Sequence, residues 1–292
     1  NSNIATLAGG DTSNSVLTFV PKGQGNSTLS VDVGSITCAP ACSPAFSTPT
    51  TGGQIVATVS QPAISLNMAN QVIGANLEVS ASGALNVNAP NTMTIKISSS
   101  DGNVVLSNAN NTAGSSSITI TIQPNNGLNG SGFPTFFVQA LAAAPTSGSS
   151  VTLTAHDQAN QFADGTIQVT LAPSGLVLAS QNGIGQDFST SLGQIGGGDK
   201  PLTVEAFQLD PVTLAPVAEE AVKGGLTLAF TIQQGTNGVA TIVGTQAISP
   251  GSLTQSLTFH PVATGSTTLT VPAPPGFVLP ASGNALNATV NP

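Results

Sequence analysis

Apolar residues recur at every second position in several short runs of this chain. Met93, Ile95 and Ile97 are separated by Thr94 and Lys96, and Ile118, Ile120 and Ile122 by Thr119 and Thr121. Leu226, Leu228, Phe230 and Ile232 keep the same step across Thr227, Ala229 and Thr231. A period of two puts all the apolar side chains of a run on one face of a β-strand. Turn pairs such as Asp101-Gly102, Asn126-Gly127 and Asn237-Gly238 punctuate the runs, and no 3.6-residue stripe competes with them. The pattern predicts an all-β chain whose strands each bury one face.

The strand pattern repeats itself. Val16-Leu17-Thr18-Phe19-Val20-Pro21 matches Ser256-Leu257-Thr258-Phe259-His260-Pro261, and Gly25 to Val31 falls on Gly265 to Val271 without a gap. Upstream, Ile4 to Leu7 lies on Val239 to Ile242. Downstream, Phe46 to Val59 lies on Phe277 to Val290, with Ala57-Thr58-Val59 on Ala288-Thr289-Val290. A looser copy runs through Phe136-Phe137-Val138, Thr152 to Ala155, Phe162 and Ile167 to Leu171. The repeat assigns core positions in pairs: Leu17 with Leu257, Phe19 with Phe259, Leu29 with Leu269 and Val31 with Val271. Truncating either Phe is expected to cost about 3–5 kcal/mol.

Each copy ends a unit of normal sandwich length, except that the first copy has no preceding half. The chain therefore divides into 1–59, the C-terminal half of a domain to be completed by other strands, and two whole domains, 60–172 and 173–292. The repeated strand, the segment Pro261-Val262-Ala263-Thr264-Gly265 and the Thr-Leu-Thr-Val strand that follows resemble the bacterial immunoglobulin-like (Big or invasin-like) tandem repeats of surface and extracellular proteins. The resemblance implies tandem immunoglobulin-like β-sandwiches. It says little about function, because such repeats serve as adhesins, as filament or stalk sections and as spacers beside enzymes.

Composition narrows the choice. The chain of 292 residues is 39% hydrophobic with no Trp or Tyr, so its cores are built from Val, Ile, Leu, Ala and 11 Phe. Only 5% of residues are charged; the cations are Lys22, Lys96, Lys200 and Lys223, and net charge is −8. So few cations cannot neutralise a row of phosphates, which argues against nucleic acid and acidic lipid as partners. No run approaches the ~18 apolar residues of a membrane span, so membrane insertion is not expected. A surface of Ser, Thr, Asn and Gln suits an extracellular or cell-surface location, reached after removal of a secretion signal.

Candidate chemistry is sparse, and no enzymatic activity and no cofactor are expected. His156 and His260 point outward by alternation. Asp157 and Asp164 bracket a short loop and form a weak calcium candidate, because two carboxylates supply too few of the six to eight oxygens the ion takes. The sequence thus favours a structural filament or stalk section, self-associating by β-strand donation or continued in a longer tandem array. An adhesin with a glycan or cell-surface ligand ranks second, since there is no Trp or Tyr platform for a sugar ring. A spacer in a secreted enzyme ranks third.

Cys38 and Cys42 flank Ala39-Pro40-Ala41 inside an insertion: fourteen residues separate Val31 from Phe46, against five between Val271 and Phe277. The close spacing predicts a local disulfide, worth no more than ~2 kcal/mol because its loop is short. Thiol labelling of the unreduced protein should leave both cysteines unmodified; labelling of both would disprove the bridge.

Overall fold

The structure is a computed structural model, and it describes residues 19, 20, 22–30, 51, 53–124, 132–141, 149–193 and 198–292. Every regular element among them is a β-strand. The chain divides into two units, 1–61 and 62–292. In the first, β1 (Gly25–Ser30) and β2 (Gln54–Val59) form an antiparallel pair.

The second unit opens with β3 (Ile64–Met68), β4 (Val72–Gly74), β5 (Leu77–Leu85), β6 (Met93–Ser99), β7 (Val104–Ser107), β8 (Ser117–Ile122), β9 (Phe136–Ala140), β10 (Ser150–Asp157) and β11 (Gly165–Ala172). One sheet has the order β3-β5-β9-β7 and the other β4-β11-β10-β6-β8. These are the A-B-E-D and G-F-C sheets of an immunoglobulin-like sandwich, with β4 as a strand parallel to β11. The alternation read from sequence sets the inward faces: Ile95 and Ile97 are fully buried on β6, and Leu153 and Ala155 on β10. Asp101-Gly102 makes a corner between sheets and not a hairpin, because β6 pairs with β8 and β10 while β7 pairs with β9.

Pro173 alone separates β11 from β12 (Ser174–Ser180). There follow β13 (Gly183–Ile184), β14 (Phe188–Ser191), β15 (Lys200–Leu209), β16 (Pro216–Glu219), β17 (Ala221–Val222), β18 (Leu228–Ala229), β19 (Gln233–Gln234), β20 (Ala240–Val243), β21 (Ala247–Ile248), β22 (Thr254–Pro261), β23 (Gly265–Thr270) and β24 (Ala285–Asn291). The plan is the same: β12-β15-β22-β20 against β14-β24-β23-β19, with β14 parallel to β24. Phe188 and Phe259 join the two sheets edge to face, with ring centroids 5.1 Å apart. The expected strand over Leu226 to Ile232 keeps its alternating burial but not its ladder. Leu228 and Ala229 pair with β21, whereas the Ile232 N–H donates to the Gln246 side chain at 2.8 Å.

A pairing that no local pattern announces ties the two sandwiches together. The chain leaves β3 for the opposite sheet at β4, so the edge of β5 beyond Ala81 is left without β3. Strand β17 of the second sandwich fills that place: Ala221 pairs with Glu78 and Val222 with Leu77. Backbone groups that burial would otherwise strand are thereby satisfied. The fit is close, since a Cβ on Gly224 would stand 2.2 Å from the Thr112 carbonyl oxygen and one on Gly74 2.8 Å from Leu77.

The Phe188–Phe259 contact sits at the centre of the second core, and Phe259 is fully buried. Phe259→Ala should therefore lower the free energy of unfolding by about 3–5 kcal/mol. Urea denaturation with an unchanged m-value would register it as a shift of midpoint.

Candidate functional site: an uncovered apolar face

The hairpin β1–β2 reproduces β23–β24 pair for pair. Gly25 lies opposite Val59 and Ser30 opposite Gln54; Gly265 lies opposite Val290 and Thr270 opposite Ala285. Under the sequence repeat these are the same six pairs, so the repeat fixes strand register as well as strand identity. Register decides which side chains share a face. Ser27, Leu29, Ile55, Ala57 and Val59 therefore correspond to Thr267, Leu269, Leu286, Ala288 and Val290.

Burial separates the two hairpins. Leu269, Leu286, Ala288 and Val290 are buried, and Leu269 and Ala288 completely so, beneath a sheet built from β12, β15 and β22. Leu29 is 39% exposed and Ile55 66%, and Phe19 is 42% exposed where Phe259 is sealed. Phe19 and Leu29 thus hold the positions of Phe259 and Leu269 in the repeat but, unlike them, are exposed. Leu257, Phe259, Leu269 and Val271 are buried. Leu17, Val31, Cys38 and Cys42 lie outside the described residues. An apolar sheet face left in water forgoes ~1.5–3 kcal/mol for each large side chain.

Both carboxylates of the calcium candidate are engaged by groups of the protein itself. Asp157 is fully buried and its oxygens accept the backbone N–H groups of Ala159, at 3.0 Å, and Gln161, at 2.7 Å. It closes its own loop. Asp164 is exposed and paired with His156 Nδ1 at 2.8 Å. The alternation Val151, Leu153, Ala155 aims Asp157 inward, a signal present in the sequence. His260 is likewise an outward residue, paired with Asp199 at 2.7 Å. Among the described residues no group of three His, Cys, Asp or Glu is placed to hold a metal ion. Asp157→Ala should strand two backbone N–H groups and cost about 1–3 kcal/mol. Thermal unfolding should record that loss, and added calcium should leave the wild-type transition where it was.

No family model matches the chain, and no curated protein matches it. Among solved structures, the Yersinia pseudotuberculosis adhesin InvE is 17% identical with a TM-score of 0.27, over 78% of this chain and 59% of that one. The chain thus spans about three-fifths of that adhesin chain. The D00-D0 domain of intimin is 13% identical with a TM-score of 0.22, over 77% of this chain and 96% of that one.

Proposed function

We propose that the chain is a non-enzymatic structural section of an extracellular array or filament of bacterial-type immunoglobulin-like sandwiches, and that residues 1–59 are the receiving half of a further sandwich. The observation that carries this reading is the hairpin β1–β2, identical in register to β23–β24 yet with Leu29 and Ile55 exposed where Leu269 and Leu286 are buried. The second hairpin also specifies the occupant. What covers it is a sheet of the A-B-E-D kind, so the first hairpin takes extended segments that present a row of apolar side chains on one face, as β12 does with Leu176 and Leu178 and β15 with Leu202 and Val204. Those strands come from a preceding part of the same array or from a neighbouring subunit by strand donation. Scarcity of charge fits the role, because charged side chains are the usual device for keeping sheet edges apart.

Sedimentation of the 1–292 chain tests the reading. The wild type should associate or aggregate through its first unit, and Leu29→Asp with Ile55→Asp should return it to a monomer. The unfolding transition of 62–292 should not move. A monodisperse wild-type monomer in which 1–61 resists protease as well as 62–292 does would overturn the proposal.

A further inference from the structure

The contact between the two complete sandwiches contains two buried carboxyl groups, one contributed by each. Glu78, on β5, is 3% exposed, and Glu220, between β16 and β17, is 4% exposed. Each reaches across the joint to a backbone N–H of the other sandwich. Glu78 Oε2 accepts from Gly224 at 2.8 Å, and Glu220 Oε2 accepts from Gly74 at 2.8 Å. Glu78 Oε2 also accepts from the Gln139 amide at 2.9 Å, and Glu220 Oε1 from the Asn70 amide at 3.2 Å. These bonds flank the β17–β5 pairing and the Lys223 N–H donated to the Asn76 carbonyl at 3.0 Å. The two carboxyls are therefore part of the seam and not beside it.

Burial disfavours the charge on both carboxyls more than the hydrogen bonds donated by Gly224, Gln139, Gly74 and Asn70 favour it. Among the described residues Glu78 Oε1 is buried and has no hydrogen-bond partner, so ionisation would place charge on an oxygen that no described donor meets. The charged side chains around the pair pull in both directions. Lys223 acts on Glu78 and favours its ionised form, whereas Glu219 adjoins Glu220 and acts in turn on Glu205 of β15 to oppose ionisation there. A crevice lined by Asn70, Glu78, Asn110, Glu219, Glu220 and Leu253 opens beside them and gives protons a route from solvent.

We propose that this seam is a proton-operated joint: mildly acidic solution, in which Glu78 and Glu220 are neutral, locks the two sandwiches together, and neutral to alkaline solution loosens them. The inference does not rest on the function proposed for the first unit. Burial pushes both carboxyls up from an ordinary value of 4.5 to about 7. A folded-state value above the unfolded one means that the stabilisation is complete below 4.5 and is lost as pH rises through about 7.

Amide hydrogen exchange of the full chain, followed by mass spectrometry between pH 5 and 8 and normalised for intrinsic exchange, tests the joint. Peptides covering 70–79 and 219–226 should lose on the order of tenfold protection or more across that range, while a peptide from β22–β23 stays level. Glu78→Gln with Glu220→Gln mimics the neutral pair and should flatten the dependence. Each single variant should remove part of it, which keeps the test decisive if the double variant does not fold. Equal protection at pH 5 and 8 in the wild type would overturn the proposal, as would a tenfold loss that persists in the variants.

Discussion

A sheet with one apolar face is stable only when another surface lies on that face, and this constraint organises the whole chain. Within 62–292 it is met twice by the same arrangement, A-B-E-D strands against G-F-C strands, with Phe259 and Phe188 meeting across one of the gaps. In 1–61 the described hairpin leaves Leu29 and Ile55 exposed. Because the register of the two hairpins is identical, the difference between Leu269 and Leu29 is one of cover and not of sequence or strand geometry. The same residue type is core in one place and surface in the other.

A second constraint, that backbone N–H and C=O groups need partners when buried, shapes the joint. The switch of the chain from β3 to β4 lets the first sandwich close both its sheets, but it uncovers the end of β5. The following sandwich supplies β17 to that vacancy and brings Glu220 and Lys223 with it. Polar groups then enter a buried interface. Glu78, Glu220, Gln139 and Asn70 are there because backbone amides need acceptors, and two ionisable groups are held in surroundings that disfavour their charge.

Much of this was legible in sequence where the signal is local or repeated. Alternation located β6, β8 and β10, and the repeat between 16–59 and 256–290 located β22 to β24 together with the register of β1–β2. Alternation also gave the burial of Leu228, Phe230 and Ile232, although not the break in their ladder, which depends on where the Gln246 side chain falls. The joint could not be read in this way. On β5 Leu77, Glu78 and Val79 are buried in succession, because the second sandwich covers the face that a lone sandwich would leave wet. Nothing near Glu78 in sequence encodes a neighbour that arrives 143 residues later at Ala221. Asp157 was a different kind of miss, since its inward phase was visible and only its loop position suggested a ligand.

The single residue between β11 and β12 has a mechanical meaning. Pro173 has a fixed φ, and its carbonyl is bound by the Leu209 N–H at 2.8 Å, so the connection cannot act as a swivel. With β17 laced into β5 as a second tether, bending the pair requires breaking bonds at two separated points at once. While the joint is locked the pair therefore acts as one lever arm, and a load applied at its far end arrives at the near end without being spent on slack.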